Sequence, residues 1–368
     1  MVDFLFQILG GLILFSTPGT SKYGPTGLFT PESFLHHELD PTTALAISSL
    51  ANHSLTKGTW SGYRTAYKML CLCFKDTTTS FSFSNSHIIT FICWLNNRGL
   101  CLSTINSYLA GLRQVHLAKG FTIPVIRSDI VSQILSDKRN LKAHSISVKP
   151  TRIAVTPTIL RILKITISAD NLSLADKKLF WLVCTLAFHG SFRIGELLTR
   201  SPLSFDPAFT LLSKDICLNV TNVNNVPIKF IEINLNSSKT SMTKAVVLNV
   251  YPTNNDLCPV RVYIKWLSSH TSTNNLPAFR LTSGKSLTLS LFNSKLRFWL
   301  RDHIDFSKVS VSGHSFRAGI PTILATMGFA DKDLKAAGRW SSRAFEAYIK
   351  LPRTKRISMA KALGNLRL

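Results

Sequence analysis

Between residues 46 and 140 the apolar positions recur at helical spacing. Trp60, Tyr63, Tyr67, Leu70 and Phe74 form an i, i+3, i+4 stripe that predicts a helix, with Thr59 placed to cap it. The stretch from Ser86 to Asn96 predicts a second helix. Ser103 is placed to cap a third, with Ile105, Tyr108, Leu109, Leu112 and Val115 on one side and Arg113, His116 and Lys119 on or near the other. Ile130 to Leu141 predicts a fourth, so the region reads as a small helical bundle. Residues 16–45, rich in Thr, Pro, Gly and Ser, read as an extended arm.

Residues 142–156 lack helical periodicity and carry Lys142, His144, Lys149 and Arg152 without an acid, which predicts a basic linker. Thr156-Pro157 is a helix-start signal, an N-cap followed by proline at the first helical position. Helices are then predicted near 157–168 and 173–188. Two strands follow, Phe230–Leu235 and Ala245–Val250, as a hairpin around a basic, hydroxyl-rich loop. Helices return near 259–268, 289–302, 315–328, 331–338 and 342–349. The fold class is mainly α: a helical domain over 46–141, a linker, and a mostly helical second domain over 157–350 with a small antiparallel sheet.

Charge narrows the partners. The 368 residues hold 43 Lys and Arg against 19 Asp and Glu, a net of +24. Residues 1–150 contribute 13 against 7, and residues 151–368 contribute 30 against 12. So basic a second half attracts polyanions such as nucleic acid or an anionic membrane. The apolar run 1–15 is short for a bilayer span and lacks a basic n-region, so a packed or poorly ordered N-terminal extension is the preferred reading over a targeting segment. Seven cysteines without framework spacing point to a reducing compartment, and Cys71-x-Cys73 reads as core packing rather than half a metal site.

Several polar motifs stand in the basic half. Phe188-His-Gly-Ser-Phe-Arg-Ile-Gly-Glu-Leu-Leu198 follows an apolar helix, and Glu196 lies three residues after Arg193, where it can brace the guanidinium. Ser238-Lys239-Thr240 falls in the hairpin loop. Gly313-His-Ser-Phe-Arg-Ala-Gly319 places His314 and Arg317 three apart, on one helical face. Gly338-Arg-Trp-Ser-Ser342 precedes Tyr348. His189 reads as structural, and Tyr251 and Tyr263 lack the Gly-Arg-Trp context.

The order R-x-x-E-L, S-K-T, H-x-x-R, G-R-W-S-S and Tyr resembles the tyrosine recombinase, or phage-integrase, family. The wording H-S-F-R-A-G and G-R-W-S-S-x-A-F-x-x-Y-I looks most like eukaryotic mobile-element members of the DIRS-like and Crypton types. The motifs span about 157–350, and residues 46–140 match loosely as a core-binding domain. The resemblance implies a site-specific DNA recombinase that needs no metal or other cofactor. Tyr348 would attack the scissile phosphorus to give a 3′-phosphotyrosine. Arg193 and Arg317 would hold the non-bridging oxygens, and Lys239, with Lys244 as the fallback, would protonate the leaving 5′-oxygen. His314 would donate to the phosphate or take the nucleophile's proton.

Trp340 matches a position that the family fills with His or Trp. It precedes Tyr348 by eight residues rather than the nine of many relatives, and Arg339 sits at nine. Double-stranded DNA is the implied partner, clamped between the two domains, with a homo-tetramer assembled on DNA, a monomer or dimer when free, and no membrane. The nucleus is the implied location in a eukaryote, otherwise the cytoplasm or nucleoid. Charge alone nominates Arg98, Arg113 and Lys119 in the first domain and Lys285, Lys295, Arg297 and Arg301 in the second as phosphate contacts. The tail after Pro352 either docks on a neighbouring subunit or packs on its own domain. A type IB topoisomerase and a domesticated DNA-binding protein without turnover are the alternatives.

Overall fold

The computed structural model describes residues 40–53, 57–75, 83–118, 129–144, 150–235, 245–268, 274–340 and 346. The chain divides into two compact units, Met1–Ser147 and Val148–Leu368.

The first unit is helical: α1 (Pro41–His53), α2 (Lys57–Phe74), α3 (Asn85–Asn97), α4 (Leu102–Ala118) and α5 (Asp129–His144). Its core draws on four of these helices. Tyr67 and Leu70 of α2, Ile88, Phe91, Ile92 and Leu95 of α3, Ile105, Leu109, Leu112 and Val115 of α4, and Val131 of α5 are all buried together. Cys71 and Cys73 pack against this cluster.

The helix starts differ from expectation because caps act before the apolar stripe begins. The stretch read as an extended arm turns helical at residue 41, because the Asp40 carboxylate accepts the Thr42 and Thr43 N–H groups at 2.9 and 3.0 Å and Pro41 fills the first helical position. Thr59 and Ser103 lie inside α2 and α4 rather than capping them. Ser84 caps α3, two residues before the predicted start, in a capping box where His87 stands in for the usual Glu.

The second unit begins where the sequence predicted a linker. Helix α5 reaches His144, and β1 (Thr151–Arg152) pairs in parallel with β5 (Val309–Ser310), so the segment 142–156 is not a plain linker at either end. Val155 is fully buried and its N–H donates to the Ser315 carbonyl at 2.9 Å. Thr156 then caps α6 (Pro157–Ala169), whose Leu160, Leu163 and Ile167 face inward. Helix α7 (Leu174–His189) is apolar on nearly every side and runs through the core, where Phe180 meets the Trp299 ring edge-on at 5.0 Å. Short helix α8 (Ile194–Leu197) follows.

A three-stranded antiparallel sheet comes next, with β2 (Ile216–Val223), β3 (Val226–Leu235) and β4 (Val246–Val250) in that order. The sequence reading missed β2. Its signal was Asn224-Asn225, both with positive φ (50° and 62°), the two-residue turn that suits a twisted hairpin. The predicted hairpin is β3–β4, which pairs Leu235 with Val246.

Helices α9 (Pro259–Leu267), α10 (Leu289–Leu300), α11 (Gly313–Arg317), α12 (Gly319–Thr326) and α13 (Asp331–Gly338) complete the unit. The single helix expected over 315–328 is two, α11 and α12, with Ala318 between them. The helix expected over 342–349, Glu346 apart, the N-terminal run 1–15 and the tail beyond 350 lie outside the described residues. Among the described residues, no helix is long and apolar enough to cross a membrane.

Candidate active site

Helix α7 ends at Gly190, whose N–H reaches the Leu186 carbonyl. The Phe192 ring folds back onto this glycine so closely that a Cβ there would sit 2.1 Å from it. Ser191, buried and left-handed at φ 46°, makes the reversal. The turn aims Arg193 into the site at the start of α8 and presents the Ser191 carbonyl beside it.

Glu196 is the hub. Its Oε2 accepts the Arg193 backbone N–H at 3.0 Å, and its Oε1 accepts Arg193 Nη1 at 2.9 Å, the brace expected from the spacing. Arg339 Nη2 donates to Oε2 at 2.7 Å, and Arg317 Nη1 lies 3.9 Å from Oε1. Burial alone would raise the Glu196 carboxyl, but the Arg339 charge and the hydrogen bonds from Arg339 and Arg193 outweigh it and hold it below its ordinary value.

Arg317 is 3% exposed. Its two terminal nitrogens donate to the Ser191 carbonyl (3.4 Å) and the Arg339 carbonyl (2.9 Å). The second contact depends on Arg339 adopting a left-handed backbone, φ 53° and ψ 49°, which costs about 1 kcal/mol in a non-glycine residue. Arg339 Nη2 also reaches the Ser191 carbonyl at 3.1 Å, and its guanidinium lies 4.9 Å from the centre of the Phe192 ring. Trp340 covers Arg317 at 5.4 Å and packs against Gly338 so tightly that a Cβ there would fall 1.9 Å from the indole.

Three guanidiniums therefore share one carboxylate, a local excess of about two positive charges in a mostly buried setting. Unbalanced buried charge is costly, so such a cluster favours an anion, and planar forks suit a phosphodiester. The Ser191 hydroxyl and Arg339 Nε are also buried without a hydrogen-bond partner among the described residues.

Of the sequence-predicted residues, the structure brings Arg193, Arg317 and Glu196 together and lays Trp340 over Arg317. His314 is exposed on α11, three residues before Arg317. Lys239, Lys244 and Tyr348 lie outside the described residues. Sequence reasoning raised Arg339 only as a rival to Trp340; its place as a third guanidinium on Glu196, and the Ser191 carbonyl as shared acceptor, were missed. The remaining signal was Arg339's position nine residues before Tyr348.

His189 is structural, as read: Nε2 contacts the Leu257 carbonyl at 3.1 Å, and burial pushes its pKa down to about 4. Tyr263 donates to the Ile216 carbonyl, and burial raises its phenol to about 12, a poor setting for a nucleophile.

The nominated DNA contacts differ in availability. Arg98 is exposed and stacks over Trp94 at 3.9 Å. Arg113 is half-buried on α4, and Lys119 lies outside the described residues. Lys285 and Arg297 are exposed. Lys295 is instead held in a structural pair: it binds Asp170 at 3.0 Å beside the Trp299 indole N–H at 2.7 Å. Arg301 meets Asp302 at 3.4 Å and stacks on Phe298.

The architecture, a helical unit followed by a mostly helical unit with a three-stranded antiparallel sheet, is the tyrosine recombinase fold. The chain is similar to XerH site-specific recombinase in a post-cleavage complex with a palindromic difH substrate (TM-score 0.53, 13% identity, 88% of this chain and 85% of that one). It is also similar to the Tn1549 transposon integrase in complex with transposon right end DNA (TM-score 0.51, 13% identity, 84% and 95%). A lambda integrase dimer bound to a COC′ core site matches to the same degree (TM-score 0.51, 13% identity, 86% and 83%). No protein-family model matches the chain, and no curated protein matches it.

Proposed function

We propose that this protein is a site-specific DNA recombinase of a mobile element, cutting and rejoining double-stranded DNA through a 3′-phosphotyrosine. The observation that carries the reading is the convergence of Arg193, Arg317 and Arg339 on the Glu196 carboxylate, on the fold that XerH and the two integrases share. A phosphodiester seated there meets fixed cations as its transition state gains charge. Each arginine that touches a non-bridging oxygen is worth about 3 kcal/mol, roughly a hundredfold in rate or more.

In the proposed step the Tyr348 oxygen forms a bond to phosphorus as the bond from phosphorus to the 5′-oxygen breaks. The phenolic proton passes to His314 or solvent, and Lys239 gives a proton to the leaving 5′-oxygen. Religation reverses these transfers, so no external energy source is consumed. Trp340 shields and orients Arg317, while Arg339 acts as a positioning residue through its carbonyl and Glu196. Assembly as a tetramer on DNA and a nuclear location in a eukaryotic host belong to the same reading.

The test is covalent capture. The full chain is incubated with a library of nicked duplexes carrying randomised half-sites, in EDTA, and resolved on a denaturing gel. A protein–DNA adduct lost in Tyr348→Phe supports the proposal. Specific binding without an adduct points to a binding module, and sequence-independent relaxation of supercoiled plasmid points to a topoisomerase.

A further inference from the structure

A groove of about 530 Å³ opens on the second unit among α6, α7 and α9, and none of the residues lining it belongs to the arginine cluster. Apolar side chains line part of it, Ile167, Leu174, Trp181 and Val262, and Leu174 is 71% exposed. Five cations line it as well, Lys164, Lys177, Lys178, Arg261 and Lys265, against one acid, Asp256. Asp256 is engaged by Lys164 at 3.3 Å and by Arg161 at 3.6 Å, while Lys177 donates to the Ser168 carbonyl at 2.9 Å and Arg261 to the Asn255 carbonyl, so the groove offers an excess of positive charge rather than bare cations.

We propose that this groove docks an acidic amphipathic helix of another protein. The apolar side chains take the helix's hydrophobic stripe, and the lysines and arginine meet its carboxylates, the helix-in-groove mode with charge setting orientation. Charge complementarity selects the occupant. Residues 351–368 carry five cations and no acid, which sets this tail against a groove of the same sign. A second copy of a chain at net +24 meets the same repulsion. Residues 1–15 are apolar but offer a single acid, Asp3. Duplex DNA would satisfy the cations while leaving Leu174 and the Trp181 face without an apolar partner.

The experiment uses the full chain and a fluorescent synthetic helical peptide with leucines on one face and glutamates on the other. A scrambled peptide of the same composition is the control, and anisotropy is the readout. The ordered peptide is expected to bind saturably and the scrambled one at least tenfold more weakly. The double reversal Lys178→Glu/Lys265→Glu should weaken binding about tenfold through lost attraction and added repulsion. Leu174→Asp, at an exposed position, should do the same through lost apolar contact and keeps the test alive should the reversal disturb folding. Duplex DNA binding by all variants should stay within twofold of the parent.

Absence of saturable binding, or equal binding of the scrambled peptide, overturns the proposal. So does an equal loss of DNA binding in Lys178→Glu/Lys265→Glu, which would make the groove a nucleic-acid face. A photo-crosslink from position 174 that captures residues 1–39 of the same chain overturns it too, by showing the groove already filled.

Discussion

Glu196→Gln perturbs the hub without changing its size. The carboxylate accepts three hydrogen bonds at 2.7–3.0 Å and lies 3.9 Å from a fourth donor, Arg317. An amide oxygen can keep one or two of these bonds, but its NH₂ faces a guanidinium, and three cations lose their counter-charge. Breaking a fully buried pair costs roughly 3–5 kcal/mol. The Arg193 and Arg339 side chains are 20% and 19% exposed, and solvent screening reduces the cost to about 2–3 kcal/mol. For a unit of this size that is a fall of about 5–10 °C in melting temperature.

The folded pKa of Glu196 is depressed, so its contribution is present above the ordinary value of 4.5 and disappears as pH falls through the lower folded value. Parent and Glu196→Gln should therefore differ by the full amount at pH 7 and converge as the parent's carboxyl protonates. Thermal unfolding from pH 7 down to pH 3 checks this. A variant as stable as the parent at pH 7, or a gap unchanged at pH 3, would refute the account of the hub.

Three further outcomes follow from the same geometry. Arg317→Lys keeps the charge but cannot reach both the Ser191 and Arg339 carbonyls, so adduct formation should slow about a hundredfold while DNA affinity changes less than threefold. Gly338→Ala forces the indole off Arg317, costing about 1–3 kcal/mol and shifting the tryptophan emission. His189 is neutral when folded, and its pKa is depressed from 6.5 to about 4, so the unfolded chain takes up the proton first and stability is lost as pH falls from 6.5 towards 4. His189→Gln, which keeps a donor for the Leu257 carbonyl, should flatten urea midpoints across that window.

The helical stripes of the first unit were legible because their buried positions repeat at 3.6 residues, as Ile105, Leu109 and Leu112 do on α4. Starts were read less well. Asp40 and Ser84 act through side-chain bonds to backbone N–H groups, a signal that a search for apolar periodicity passes over. Strand β2 hid for a related reason: Ile216–Val223 alternates weakly, and its half-exposed outer residues, Asn219 and Thr221, look like loop. Within the site, the pairing of Arg193 with Glu196 was local, three residues apart, and could be read directly. The convergence of Arg317 and Arg339 on the same carboxylate joins residues 121 and 143 positions away from Glu196, and only the folded chain reveals it.

The most direct test is to identify the covalent bond. After capture on a nicked duplex in EDTA, the adduct is digested with protease and nuclease, and the nucleotide-bearing peptide is sequenced by mass spectrometry. The account predicts a 3′-phosphonucleotide on the peptide that contains Tyr348, attached at that residue. Attachment at any other side chain, or cleavage that leaves no protein on the DNA, would contradict it.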